Sequence, residues 1–324
     1  MLHALITGVG GFAGSHLADV LLARREAEVW GCVIGGQRPD YLDPRVHLLQ
    51  ADLLDPEAVT ALLRRVRPER VYHLAGQAFP QQSWADPWGT FEANVRPQMQ
   101  LLDAILRLDL RPRVLVVGSN EVYGQAQRDE APAPETAEFR PRNPYAVSKA
   151  AQDLLGLQYY LSHQLHVVRV RPSNHIGPRQ NERFVAPAFA RQIARIEAGL
   201  QPPVMRVGNL SARRDFTDVR DVVRAYQVAL EEGDPGEAYN VGTGRATPVQ
   251  EVLDGLLACT TAEVRVEIDS ALLRPSDAMV RCGDPAKLRA CTGWTAQIPL
   301  EQSLRDLLDY ERSRVGEKAQ TGSP

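Results

Sequence analysis

The chain has 324 residues, of which 44% are hydrophobic and 24% charged, and its formal net charge is −3. This is ordinary for a globular protein; it offers no basic footprint for a nucleic acid and no apolar run long enough to cross a membrane as a helix. Four cysteines (Cys32, Cys259, Cys282, Cys291) and seven scattered histidines fit no zinc or disulfide spacing, so reduced thiols and no metal are expected.

In chain order, Leu2–Thr7 reads as a strand that runs into a glycine loop, not into a signal-peptide pattern, and the cytoplasm is the expected compartment. A helix follows at Ser15–Ala23. Further short apolar runs read as strands at Val29–Ile34, Val46–Gln50, Val71–Leu74, Val114–Gly118 and Val167–Arg171. Helical patterns separate them at Glu57–Val66, Phe91–Leu108 and Tyr145–Leu161, with Pro97 expected to kink the second of these or mark its first turn. The alternation predicts an α/β fold with a doubly wound parallel sheet over residues 1–172. After Pro172 the pattern turns irregular, with helices at Val185–Ala198, Val219–Glu231 and Pro248–Cys259 and a strand at Val264–Ile268. This predicts a smaller C-terminal substrate-binding lobe, 173–313, partly interleaved with the first. The tail 314–324 is polar and small and is expected to fray.

Gly8, Gly11 and Gly14 follow the first strand at G-x-x-G-x-x-G spacing, around Phe12 and Ala13. Glycine there permits a tight turn and close approach to a pyrophosphate, and the next helix N-terminus supplies N–H donors. The sheet is therefore expected to be Rossmann-like. An NAD site usually ends its second strand with an acid that binds the ribose 2′-hydroxyl. Here Val33 to Arg38 holds no acid and one cation, Arg38, which favours NADP, with NAD possible. Asp52 and Leu53 after the third strand are expected near the adenine, and Leu74, Ala75 and Gly76 after the fourth beside the cofactor.

Tyr145 and Lys149 stand four apart, on one face of a helix. An ammonium beside a phenol lowers the phenol's pKa. Bringing a tyrosine from about 10 to neutrality needs a shift of roughly 3 units, about 4 kcal/mol. Ser119 ends the run Val114–Gly118, at the edge of a parallel sheet where ligands bind.

With these residues in order, the chain resembles the extended short-chain dehydrogenase/reductases, through Thr7-Gly8-x-x-Gly11-Phe12-x-Gly14, His73-Leu74-Ala75-Gly76, Ser119-x-Glu121-x-Tyr123-Gly124 and Tyr145-x-x-x-Lys149. Within that group it looks most like the reductases of GDP-4-dehydro-6-deoxy-D-mannose. The matching segments are Asn174 to Gln180 followed by Phe184-Val185, Val207 to Leu210, Arg214 to Asp221, and Leu273 to Asp277. The resemblance implies that Tyr145 protonates the reduced oxygen and that Lys149 tunes it and holds the nicotinamide ribose. Ser119 would bind the substrate oxygen, and Glu121 would complete the catalytic set. It also implies Pro172 at the cofactor, Asn120, Asn174 and Val185 at the substrate, and Arg214, Arg274 and Asp277 around the diphosphate. Asp218 and Asp221 read as structural.

The rival reading is GDP-mannose 4,6-dehydratase. Dehydration needs a base at C5 and an acid for the leaving hydroxyl, which related enzymes place in a Thr-Asp-Glu or Thr-Ser-Glu triplet. Here the triplet is Ser119-Asn120-Glu121, and an amide does not serve as an acid. Another nucleotide-sugar epimerase or reductase is a further alternative; a cofactor-sensing protein without turnover would usually lack the Tyr or the Lys. Relatives commonly read Asn-Val-x-Gly-Thr where this chain reads Asn94-Val95-Arg96-Pro97-Gln98. The helices Phe91–Leu108 and Tyr145–Leu161 are those that build a four-helix homodimer interface in the family.

Overall fold

The structure, a computed structural model, describes residues 2–25, 27–125, 132–273 and 279–321. β1 (Leu2–Thr7), α1 (Phe12–Arg24), β2 (Ala27–Val33), β3 (His47–Gln50), α2 (Pro56–Val66) and β4 (Arg70–His73) come first. Helices α3 (Pro80–Ala85) and α4 (Pro87–Arg107) precede β5 (Arg113–Val117), and α5 (Pro144–His163) precedes β6 (Val167–Pro172). The remainder comprises β7 (Asn174–Ile176), α6 (Val185–Glu197), β8 (Val204–Val207), β9 (Arg213–Arg214), β10 (Phe216–Asp218), α7 (Val219–Glu232), β11 (Ala238–Val241) and β12 (Thr247–Pro248). It closes with α8 (Val249–Leu257), β13 (Arg265–Ile268), β14 (Val280–Arg281), α9 (Ala286–Thr292) and α10 (Leu300–Thr321).

Seven parallel strands form the main sheet in the order β11-β6-β5-β4-β1-β2-β3. The chain reverses its direction of travel between β1 and β4, and a ligand crevice opens at the carboxyl ends of strands around such a point. Side chains alternate across the strands. Ala4, Ile6, Tyr72 and Leu115 join Leu17 and Leu21 of α1 and Val222 and Tyr226 of α7 on one face. Leu5, Val71, Val114 and Val116 join Val59 and Leu63 of α2 and Leu101 and Ile105 of α4 on the other. A third core, with Phe189, Ile193, Met205, Val252, Leu304 and Leu308, is built from residues after Pro172. Among the described residues no helix is long and apolar enough to cross a membrane.

Three features differ from the sequence expectation. The seventh strand, β11, comes from 238–241, well after residue 172, and pairs with β6. Its four residues are buried throughout, so they carry no alternation to read. α4 starts at Pro87 and not at Phe91, with Asp86 accepting a hydrogen bond from the Gly89 N–H (2.9 Å); of the two places expected for Pro97, the helix interior is the one it takes. The last helix runs past Arg314, where the polar composition carried no helical signal. α10 continues to Thr321 because Val315 extends the buried stripe of Leu304, Leu308 and Glu311 into the lobe's core.

Candidate active site

The glycine loop lies at the carboxyl end of β1. Gly8 has φ +72°, a left-handed conformation that favours glycine. A β-carbon on it would meet the Ala75 backbone nitrogen at 2.9 Å. The loop thus packs against Leu74-Ala75-Gly76 as backbone on backbone. Thr7 holds that junction: its Oγ1 shares a hydrogen bond with His73 Nδ1 (2.9 Å) and accepts one from the Ala75 N–H (3.2 Å). At Gly14 a β-carbon would lie 2.3 Å from the Gly8 carbonyl. Gly11 caps α1 without a side chain, and no acid stands in the helix's first turn. A bare helix N-terminus with uncapped N–H groups suits a pyrophosphate, so the cradle fits a dinucleotide.

Tyr145 and Lys149 occupy the first two turns of α5, which starts at Pro144 behind the cap residue Asn143; Asn143 Oδ1 accepts from the Ala146 N–H (2.7 Å). Both side chains are buried. The Ser119 side chain lies beside the Tyr145 phenol. Ser119 itself caps a short 3₁₀ turn (Asn120–Tyr123), accepting from the Glu121 N–H (3.1 Å). The Lys149 ammonium donates to the Val117 carbonyl (3.0 Å) and to Gln152 Oε1 (2.8 Å), and it lies 5.9 Å from the centre of the Tyr145 ring. The expected lowering of the phenol's pKa does not appear. Burial, then the nearby Glu121 carboxylate, push Tyr145 above its ordinary value, and the opposing effects of Ser119 and Arg281 are smaller. Burial also pulls Lys149 down to about 8.

Glu121 is gripped at both oxygens. Arg281 of β14 donates through a terminal guanidinium nitrogen to Oε1 (2.7 Å), and Asn143 Nδ2 donates to Oε2 (2.8 Å). Asn120 turns the other way and donates to Ser173 Oγ (3.0 Å). Ser173 lies beside Asp215, a buried carboxylate that accepts from Thr243 and Gly244. Asn120 is thus part of a buried polar chain beneath the site.

The other expected site residues fall as follows. Arg38 braces its own loop, donating to the carbonyls of Asp43 (2.8 Å) and Val46 (2.7 Å). Asp52 accepts from the Leu54 N–H (2.9 Å) in an exposed turn, while the Leu53 side chain is buried in the core. Pro172 ends β6, Asn174 opens β7 and is half-buried, and Val185 begins α6. Arg214 is buried, with Nη1 donating to the Arg213 carbonyl (2.8 Å). Arg274 and Asp277 lie outside the described residues. Asp218 caps α7 and bonds Arg220 and Ser303, and Asp221 accepts from the Gln297 and Ile298 N–H groups, both structural roles as expected.

Residues 5–307 match the family described as GDP-mannose 4,6 dehydratase. The chain belongs to that family. It is 36% identical to a GDP-6-deoxy-D-mannose reductase of Pseudomonas aeruginosa, over 97% of this chain and 98% of that one. Among solved structures it resembles RMD from Pseudomonas aeruginosa complexed with NADPH, with a TM-score of 0.85 and 34% identity over 97% of this chain and 100% of that one. It also resembles a Thermus thermophilus UDP-glucose 4-epimerase complexed with NAD, with a TM-score of 0.85 and 30% identity over 96% and 99% of the two chains.

Several residues that organise this family member's site were missed in the sequence. Asn143 and Arg281 meet Glu121 from 22 and 160 residues away. Gln152 and Gln98 form a buried amide pair behind Lys149, with Gln152 Nε2 donating to Gln98 Oε1 (2.9 Å). Asn143 before Pro144 is a legible helix cap. Nothing in the sequence marks Arg281 among the chain's other arginines.

Proposed function

We propose that this chain reduces the 4-keto group of GDP-4-dehydro-6-deoxy-D-mannose with NADPH, giving GDP-D-rhamnose. The observation that carries the reading is a buried Tyr145 phenol beside Ser119, with the Lys149 ammonium 5.9 Å from its ring centre. The likeness to a reductase along nearly the full length of both chains supports the same choice.

When bound, the reduced dinucleotide supplies a hydride to the keto carbon. Ser119 and Tyr145 would hold the keto oxygen between their hydroxyls. As negative charge develops on that oxygen, Tyr145 gives up its phenolic proton to it, and hydrogen bonds aimed at such charge are what lower the barrier. Lys149, fixed by Val117 and Gln152, leaves a positive charge beside the phenolate that results. Asn120 cannot supply the second acid that dehydration requires.

Residues 1–172 would bind the dinucleotide and 173–313 the sugar nucleotide. Preference for NADPH over NADH rests on the absence of an acid at the end of β2 and on Arg38 nearby. Arg214 and Arg274 would grip the diphosphate, suited by bidentate geometry. Trp88 and Met99 of α4 and Val147, Leu154 and Leu161 of α5 are exposed, and the last three recur every seven residues along one face. Pairing that face with its copy would bury it in a homodimer through four helices. A cytoplasmic site of action fits this chemistry.

The test is NADPH oxidation with GDP-, UDP- and dTDP-linked 4-keto-6-deoxy sugars. Oxidation with the GDP-sugar is expected. No oxidation by folded protein would overturn the reading, and formation of a 4-keto product from GDP-mannose without added reductant would establish a dehydratase instead.

A further inference from the structure

The carboxylate of Glu121 stands beside the catalytic phenol, close enough for its charge to be felt there. A ketone at C4 of a sugar acidifies the hydrogen on the neighbouring C5. A free carboxylate in such a site is a ready base for that hydrogen, and a positioned base contributes about 10²–10⁴-fold. In this chain Glu121 is not free. Its side chain is 13% exposed, one oxygen faces the Arg281 guanidinium at 2.7 Å, and the other faces the Asn143 amide at 2.8 Å.

The arrangement is built from distant parts of the chain. Ser119 caps the turn that presents Glu121, and α5 presents Asn143 through its own cap. Arg281 arrives on β14, which pairs in register with β9: Val280 opposite Arg213, and Arg281 opposite Arg214. Arg281 is itself largely buried, at 11% side-chain exposure, and its Nε has no partner among the described residues. A buried cation requires a paired anion, so Glu121 and Arg281 fix one another.

We propose that Arg281 is a specificity-determining residue: by keeping Glu121 paired, it denies the site a base for C5 and confines the chemistry to reduction. The inference rests on the reductase reading above. Arg281 acts through Glu121 and is a positioning residue. The step it suppresses is balanced in protons and electrons. The C5–H bond breaks, its electron pair forms the C4–C5 enolate, and the proton moves to the Glu121 carboxylate; the reverse step returns a proton from solvent to C5.

The experiment incubates enzyme saturated with NADP⁺ and the 4-keto-6-deoxy GDP-sugar in D₂O and follows deuterium at C5 by NMR. Arg281→Leu should raise exchange on the order of 10²-fold over wild type, and the double variant Glu121→Gln/Arg281→Leu should return it to the wild-type rate. Arg281→Lys, which keeps the charge but loses the planar fork, should fall between. Unchanged exchange in folded Arg281→Leu would overturn the proposal, as would a gain that persists in the double variant. Should Arg281→Leu fail to fold, Arg281→Lys decides: a rise supports the proposal and no rise overturns it. NADPH oxidation by the wild-type enzyme is read in parallel. Its absence refutes the reductase reading, whereas oxidation without an exchange gain refutes only the role of Arg281.

Discussion

Replacing Gly14 by Ala tests whether the glycine loop is the dinucleotide cradle. The added β-carbon would stand 2.3 Å from the Gly8 carbonyl oxygen and 2.9 Å from Val9 Cα, both backbone atoms with no side chain to swing aside. A carbon and an oxygen do not settle much inside about 3 Å, so the start of α1 must retreat by roughly 0.7 Å. Overpacking of this kind costs about 1–3 kcal/mol of stability. The same retreat would stretch an N–H···O bond to a phosphate from about 2.9 Å to about 3.6 Å, beyond a hydrogen bond. A bond to a charged group is worth about 1.5–3 kcal/mol, so the Kd for NADPH should rise about 10- to 100-fold. Nicotinamide fluorescence titration measures it, with thermal melting alongside. Gly316→Ala, in α10 away from the loop, is the control, since a β-carbon there meets nothing within 4 Å. Wild-type affinity in a folded Gly14→Ala protein would refute the cradle.

Tyr145→Phe should cut turnover by about 10²–10⁴-fold while NADPH binding persists; stopped-flow and equilibrium titration separate the two, and retained turnover would remove the phenol from the chemistry. Asp153 is fully buried between Arg169 and Arg171, with Arg171 Nε at 2.7 Å. Asp153→Asn should therefore lose about 3–5 kcal/mol in urea denaturation, because two buried cations lose their counter-ion; a loss under about 1 kcal/mol would contradict the burial argument. Burial holds Lys149 near 8, below the roughly 10.4 of an exposed lysine. The unfolded chain then binds that proton more tightly, so the destabilisation is full below pH 8 and lifts between about pH 8 and 10. Lys149→Met lacks this relief, and wild type should gain up to roughly 3 kcal/mol on it across that window. Parallel stability curves for the two proteins would contradict this.

The elements that build the dinucleotide half were legible because each carries a local signal. Leu2–Thr7 and Val114–Val117 are apolar runs closed by glycine or serine, and Pro56–Val66 has an apolar stripe behind the cap Asp55. β11 was not legible, since Ala-Tyr-Asn-Val is short and its Asn240 is buried by hydrogen bonds to Ala133 and Asp284 rather than by apolar character. The helical continuation past Arg314 was not read for the opposite reason: a polar composition hid the buried Val315. Tyr145, Lys149 and Ser119 lie on elements with clear boundaries, so their meeting could be expected. The groups that hold Glu121 come from 22 and 160 residues away, and the farther one, Arg281, arrives through a strand pairing that no local pattern encodes.

The state of the phenol shows what that distance changes. Spacing alone put an ammonium one turn from Tyr145 and suggested a lowered pKa. In the fold the ammonium is engaged by Val117 and Gln152, the ring is buried, and a carboxylate faces it, so the balance reverses. A neutral phenol donates a proton and does not accept one. On the proposed reading the proton would pass from this phenol to the substrate oxygen, as reduction of a ketone demands. The same carboxylate that, after burial, helps raise the phenol's pKa would, if free, take the proton from the carbon next to that ketone. Its pairing with Arg281 and Asn143 is what lets one site keep the first effect of Glu121 without the second.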